Sequence, residues 1–445
     1  MRSVLLAATV AAVGVTACGQ GASDPFAGFG PKPELPTPTT SALPTVKVAK
    51  FVGWPKDAAP TAPPGFVVTR FADGLDHPRW LLVLPNGDVL AAESSSEPKP
   101  PKTFKDWVAQ LIQKRAGALQ ESPNKIMLLR DSDADGVADT KAIFAQGLKR
   151  PFGMALVGDT LYVANDDSIV AFAYSEGQTK VQGAGTKVFD LPGGPINHHW
   201  TKNIIASPDG QKLYATVGSN SNVGENGMAA EAGRAQIVEF TLPEGPSRPY
   251  ATGLRNPNGM DWEPVTGKLW TAVNERDELG DDLVPDYMTS VTPGAFYGWP
   301  YSYFGQTVDT RVSPPRPDLV AKALVPDYAL GPHTASLGLA FYRAETFPPG
   351  YKGGVFIGQH GSWNRKPLNG YRVVFIPFAK GKPAGPPQAF LTGFLNAKGE
   401  AQGRPAGVAI DNGGALLVAD DSGDTVWRVA NANPPPAPVP AAPKP

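Results

Sequence analysis

Cysteine is close to absent from this 445-residue chain: the single one, Cys18, lies near the start. The body therefore holds no disulfide framework, no cysteine-based zinc cluster and no Cys-Xaa-Xaa-Cys-His haem attachment, which needs two thiols. An excess of positive charge is missing as well. Forty Lys and Arg face 41 Asp and Glu, a formal charge of -1, which leaves nothing to neutralise a phosphate backbone and argues against a nucleic-acid partner. Beyond the N-terminal run, no apolar stretch is long enough to span a bilayer. Abundant instead are 49 Gly and 48 Pro, about one residue in five, which disfavour long helices and point to short strands joined by turns. With 42% apolar and 9% aromatic residues a buried core can form, so the composition indicates a globular, turn-rich, all-β protein.

Residues 1–17 carry one Arg, an apolar stretch from Val4 to Val15 and small residues before Cys18, the features of a cleaved export signal rather than a membrane span. Val15-Thr16-Ala17-Cys18 resembles the lipobox of bacterial lipoproteins. That resemblance implies lipidation of Cys18 and an exported protein anchored to the membrane by lipid; an ordinary secretory signal with an incidental Cys is the alternative. Gly19 and Gln20, with no Asp after the Cys, resemble sorting to the outer membrane, facing the periplasm. Residues 18–64 are rich in Pro, Ala, Thr and Ser and read as an extended spacer, and 431–445 read as a Pro/Ala-rich tail. The folded body is 65–430.

Within that body one pattern recurs six times: a turn holding a cation or His, a short apolar strand, a Pro/Gly/Asp turn and a second apolar strand. The copies begin near Leu75, Leu148, Asn197, Leu254, His333 and Gly403, with Trp80, Gly153, Asn203, Gly259, Gly338 and Gly407 as equivalent anchors. The anchors are 50 to 79 residues apart, too far for two strands and suitable for four. A repeated four-stranded unit that cannot bury both faces alone predicts a six-bladed β-propeller. In such a fold the turns before the innermost strands converge at one end of the axis. His77, His198, His199 and His333 lie in these turns, with Arg150, Arg255 and Arg404, and so predict a shared polar pocket; the alternative is that each Arg caps its own turn. Phe104, Trp107, Val108, Leu111 and Ile112 fall at helical spacing, an amphipathic helix against a blade edge or a lipid surface. Asp131, Asp133, Asp135, Gly136, Val137 (through its carbonyl) and Asp139 match the first nine positions of a Ca²⁺ loop. Its twelfth position is Ala142, and a solvated hairpin is the alternative.

His199, followed by Ile204-Ile205-Ala206-Ser207-Pro208-Asp209-Gly210 and Leu213-Tyr214, resembles the catalytic strand of the pyrroloquinoline quinone (PQQ)-dependent glucose/sorbosone dehydrogenases. Leu254-Arg255-Asn256-Pro257-Asn258-Gly259, Val273-Asn274-Glu275 and Phe296-Tyr297-Gly298-Trp299-Pro300 are similar to later motifs of that family. Gln359-His360-Gly361-Ser362-Trp363-Asn364-Arg365 resembles its sorbosone branch. The resemblance implies a six-bladed propeller that oxidises a sugar or sugar-derived aldehyde by hydride transfer to PQQ, with a cytochrome or quinone as external electron acceptor. It implies His199 as general base, Arg255 against the quinone oxygens and Asn256 orienting the ring. It implies Thr334, Trp363, Asn364, Arg365 and Arg404 as further cofactor-binding residues, and Arg150 is expected to join them from its turn position. A Ca²⁺ bridging PQQ to backbone carbonyls would fall at Asp277 and Glu278, where soluble glucose dehydrogenases have Gly-Pro. Those enzymes also carry an Asp where this chain has Ser219, which removes a carboxylate that would stabilise the imidazolium. A non-catalytic, ligand- or partner-binding propeller is the rival reading, and a metal-dependent lactonase a third.

Overall fold

Four antiparallel strands recur six times along the chain, in blades spanning 78–146, 154–190, 204–252, 256–332, 336–391 and 405–431. The computed structural model describes residues 24, 26–39, 47–96, 114, 115, 117 and 121–434. The export signal, Cys18, the helix expected over 104–112 and residues 435–445 lie outside them. Among the described residues no helix is long and apolar enough to cross a membrane. The fold is a six-bladed β-propeller of four-stranded blades. Blade 6 contributes three strands of its own, Pro405–Ile410, Leu416–Asp420 and Thr425–Asn431. Its fourth is Phe66–Ala72 from the start of the body, antiparallel to Thr425–Asn431 with Phe66 opposite Asn431. This pairing closes the ring.

Second strands such as Val89–Glu93, Val355–Gln359 and Leu416–Asp420 are buried at every position, whereas the outer strand Thr186–Asp190 is largely open. A strand covered on both faces reads as a continuous apolar run, and here the covering layers are the neighbouring blades. The apolar core is accordingly six separate clusters, one in each gap between adjacent blades. That of blades 1 and 2 centres on Leu90, Leu128 and Phe144 with Leu161 and Val163; that of blades 6 and 1 joins Leu417 and Val426 to Ala91 and Leu129.

The six anchors of the sequence repeat sit where the innermost strands meet around the axis. A Cβ on Gly153 would overlap Ile204 N, one on Gly259 would lie 2.5 Å from Leu337 O, one on Gly338 2.5 Å from Ala406 O, and one on Gly407 2.7 Å from Arg79 O. Each glycine lets the next blade's backbone approach more closely than any side chain permits. The two remaining contacts use side chains: Trp80 packs on Phe152 with ring centroids 4.7 Å apart, and Asn203 Nδ2 donates to Asn258 O at 3.0 Å.

The segment before residue 65 departs from the expected loose spacer wherever it is described. Phe29–Gly30 adds a fifth strand to blade 4, Leu35 joins the core between blades 3 and 4, and Ala49 is buried. Trp54 Nε1 donates to Asp420 Oδ2 at 2.6 Å, its ring edge-on to Trp427. A Pro-rich composition shows that such a segment builds no core of its own, but its scattered aromatic residues find slots on a preformed surface.

Gly338→Val tests the axial contact. Forcing a branched side chain against Ala406 and Val408 is expected to cost about 3 kcal/mol, seen as a lower urea midpoint; an unchanged midpoint would contradict the close approach.

Candidate active site at the mouth of the axis

All six innermost strands run in one sense, so the turns before them emerge at one end. In four blades what holds the turn is a polar side chain at or just past the end of the second strand. Glu93 Oε1 accepts from Asp76 N (2.9 Å), Asn165 Oδ1 from Lys149 N (3.0 Å), Asn220 Oδ1 from His198 N (3.2 Å) and Asp420 Oδ1 from Arg404 N (2.7 Å). His77, Arg150 and His333 share a left-handed backbone, with φ of 53°, 47° and 54°, which non-glycine residues adopt at a cost.

His199 reaches the mouth half-buried. Its Nδ1 faces Ser219 O at 2.8 Å and Ser219 Oγ at 3.0 Å, and that hydroxyl donates its own hydrogen to Ser221 O at 2.7 Å. Both groups facing Nδ1 are thus acceptors, which assigns the proton to Nδ1 and leaves the lone pair on Nε2. Burial, then neighbouring His198 and Arg255, hold the imidazole well below its ordinary range, so the neutral form dominates. A Cβ on Gly218 would overlap Asn256 Oδ1, and His199 Cβ would lie 2.6 Å from it, so Gly218 is what lets His199 and Asn256 meet. His198 beside it is exposed, its ring edge-on to that of His199 with centroids 4.6 Å apart.

Arg255 is buried next to this pair. It donates to Glu275 O (2.7 Å), Asn222 Oδ1 (2.9 Å) and Asn222 O (3.2 Å), and its Nη2 lies 3.5 Å from Asp277 Oδ2. Asp277 Oδ1 in turn accepts from Asn364 Nδ2 at 2.6 Å and lies 3.3 Å from His333 Nδ1. Burial opposes the charge on Asp277, but His333, Arg255 and Asn364 together keep it below the ordinary carboxylate range. The Asp277 carbonyl already accepts from Arg311 Nη1 (2.9 Å) and Asn222 Nδ2 (3.2 Å), and Glu278 is exposed. A carbonyl and a carboxylate ringed by guanidinium and imidazole groups do not fit a Ca²⁺ ligand set.

Two predicted binding residues are engaged elsewhere. Thr334 is fully buried and donates to Asp286 Oδ2 at 3.0 Å. Arg365 clamps two loops, donating to Asp281 O, Pro367 O and Asp282 Oδ1 at 2.6 to 2.8 Å. Trp363 is 48% exposed.

The far side of the mouth holds residues the repeat pattern did not single out. Asp421 accepts from His360 Nε2 at 2.8 Å and pairs with Arg79 Nη1 at 3.1 Å. Arg79 and Arg150 lie over the Trp200 ring, 5.7 and 5.4 Å from its centroid, and Arg150 is ion-paired with Asp166. Arg404 Nη2 donates to Tyr371 OH at 3.2 Å. Among the described residues the Nε groups of Arg79, Arg150 and Arg404 at the mouth, and of Arg234 beneath it, are buried without a partner, as are Asn256 Oδ1 and Asn364 Oδ1. Each such group costs about 1–3 kcal/mol, and a planar polyanion at the mouth would satisfy the three donors. The residues therefore fit PQQ, whose three carboxylates need cations. The signal for Asp421 was the polar doublet ending each second strand, Asn165-Asp166 and Asp420-Asp421 among them.

The sequence matches the TrAA12-like family over residues 122–292 and 320–432. The chain belongs to that family. An uncharacterized protein of Borreliella burgdorferi is 27% identical over 356 residues, 77% of this chain and 93% of its own. The pyrroloquinoline quinone-dependent pyranose dehydrogenase of Coprinopsis cinerea is 26% identical over 230 residues, 40% of this chain and 30% of its own. Its PQQ domain, solved in the holo form, superposes with a TM-score of 0.66 at 20% identity, covering 86% of this chain and all of that domain. The calcium structure of a Trichoderma reesei carbohydrate-active enzyme of family AA12 superposes with a TM-score of 0.68 at 17% identity, covering 87% and 99%.

On the flank of this TrAA12-like propeller, Asp131, Asp133 and Asp139 bring ligand oxygens within 4.8 Å of one another. Asp135 instead caps the Val137 amide at 2.8 Å.

Asp421→Asn tests the charge balance of the far side. Leaving Arg79 without its buried counter-ion is expected to cost about 3 kcal/mol at pH 7. Burial raises the Asp421 pKa, but His360, Arg79 and His77 hold it far below the ordinary 3.8. Its contribution is therefore complete above that value and fades as pH falls towards the depressed folded-state pKa, so the gap between urea melts of variant and wild type should start to narrow below about pH 4 and keep narrowing further into acid. A gap that persists unchanged into acid would contradict the pairing.

Proposed function

We propose that the protein is a PQQ-dependent dehydrogenase that oxidises a sugar or sugar-derived aldehyde, and that the axial mouth is its active site. The observation that carries this reading is the ring of buried guanidinium groups with unpaired Nε–H around a neutral imidazole whose Nε2 is open. The names borne by the Coprinopsis cinerea relative and by the AA12 structure support the same chemistry.

PQQ, when bound, supplies an electron-poor quinone carbon that accepts hydride. Arg404, Arg150 and Arg79 would hold its carboxylates, with Trp363 at the rim. Arg255 and Asn256 would face its quinone oxygens, where a buried guanidinium stabilises developing negative charge more than in water. His199 Nε2 takes the proton of the substrate hydroxyl. Nδ1–H stays on Ser219 O, so the imidazolium is steadied by a carbonyl dipole and a hydroxyl in place of a carboxylate. Asn364 acts through Asp277, which it fixes beside Arg255. No step is drawn through a Ca²⁺ at Asp277 and Glu278; a structural Ca²⁺ is assigned instead to the Asp131–Asp139 loop.

The finer parts of the reading are membership of the sorbosone branch, an external cytochrome or quinone as electron acceptor, and a lipid anchor on Cys18 that holds the protein at the outer membrane, facing the periplasm. They rest on the sequence motifs alone.

Titration of PQQ into the purified protein is expected to give saturable binding at micromolar or tighter concentration, followed by dye reduction with an aldose or osone. His199→Ala should keep PQQ and lose about 10²- to 10⁴-fold in turnover. No binding, or unchanged turnover in His199→Ala, would overturn the assignment and favour a propeller that only binds. Because protein cations occupy the Asp277 site, a calcium chelator should leave PQQ affinity within about twofold. Release of PQQ by the chelator would contradict that point.

A further inference from the structure

Beneath the His199 turn lie two basic side chains that the mechanism leaves unused. Lys202 is 1% exposed, and its Nζ faces Trp200 O (3.0 Å), His199 O (3.2 Å) and Asn197 Oδ1 (3.4 Å). Arg234, also buried, donates through Nη2 to the same His199 carbonyl at 3.4 Å, through Nη1 and Nη2 to Asn197 Oδ1 at 3.1 Å, and to Pro192 O at 2.6 Å. Neither is in an ion pair among the described residues, while Asp166 pairs with Arg150 and Lys149, and Asp167 with Lys149. Three oxygen acceptors and no donor surround Nζ, which matches the three N–H groups of an ammonium.

Burying an ammonium without a counter-charge is expensive. An apolar side chain would plug this turn at less cost, so the charge has a consequence at the two oxygens both cations grip, the His199 carbonyl and Asn197 Oδ1. We propose that Lys202, with Arg234, is a positioning residue for His199: the pair pins the carbonyl of the turn from below and places positive charge under the imidazole. The hydrogen bonds fix where Nε2 is presented; burial pushes the Lys202 ammonium well below its ordinary range, and its protonated form, with Arg234, disfavours the imidazolium and leaves the base free to accept a proton. The other charged or titratable groups around this cluster are His198 and Arg255 beside His199, Glu225 and Asp277 toward His198, Glu231 toward Arg234, and Asp166, Asp167 and Arg150 toward Lys202.

The kinetic side of this inference rests on His199 being the base; the titration of the cofactor-free protein does not. With five histidines in the chain, each imidazole can be followed by NMR, and His199 is identified by the signal missing in His199→Gln. Lys202→Gln keeps two N–H donors and removes the charge, while Lys202→Arg keeps the charge. In the Gln variant the His199 midpoint should rise by about half to one pH unit, and the acid limb of kcat/KM in the PQQ-loaded enzyme should move with it; the Arg variant should stay near wild type. An unmoved His199 midpoint in a folded Gln variant overturns the proposal. Should Lys202→Gln fail to fold, Arg234→Gln is measured by the same criterion, with the same direction expected. Failure of the wild type to bind PQQ would sink the dehydrogenase reading while leaving this titration to judge Lys202 alone.

Discussion

The balance of buried positive charge at one end of the propeller is the constraint on which the rest of the site depends. Arg79, Arg150, Arg255, Arg404, Lys202 and Arg234 come together at this end in positions from which water is largely removed. Removal from water makes each cation costly until something offsets it. Asp421 answers Arg79, Asp166 answers Arg150, and Asp277 answers Arg255 together with His333. What is left unanswered among the described residues are four guanidinium Nε groups, those of Arg79, Arg150, Arg234 and Arg404, and the ammonium under His199. That remainder is a preformed demand for an anion, while burial, His198 and Arg255 keep His199 neutral.

Such a charge arrangement works only if the turns cannot relax apart. Their rigidity comes from below, where glycines let adjacent backbones touch around the axis and six apolar clusters lock each blade to the next. It also comes from behind, where Asp420 gathers Arg404 N, Gly423 N and the indole N–H groups of Trp54 and Trp427. Burial pushes that carboxyl up to about 6 against all four donors. Through it the N-terminal segment, blade 6 and the backbone of Arg404 share one fastening point. A site on such a frame is held by its scaffold rather than by loop packing.

The blade number and the converging turns were legible in the sequence because each depends on a short local pattern repeated six times. Gly153, Gly259, Gly338 and Gly407 stood out as equivalent before any contact was known, since a residue that must lack a side chain recurs at a fixed place. The partners of the turn residues were harder to read. Asp421 and Arg79 come from opposite ends of the chain and meet only because the ring closes, and Asn222, which ties Arg255 to Asp277, lies in the long excursion after a strand. Thr334 and Arg365 were carried over by resemblance alone, which fixes position along the chain but not whether the side chain's donors are already in use. Lys202 was hidden because a lysine before a strand ordinarily points to solvent. The Pro-rich start misled for the converse reason: composition describes what a segment does alone, and this one packs against something else.

Hydrogen exchange with and without PQQ tests the central claim most directly, because it reports all six turns in one measurement. Binding of one polyanion at the axis should slow exchange together at the turns around Arg79, Arg150, His199, Arg255 and Arg404, leaving outer strands such as Thr186–Asp190 unchanged. Slowing confined to one blade edge, or none despite bound PQQ, would contradict a shared site at the mouth of the propeller.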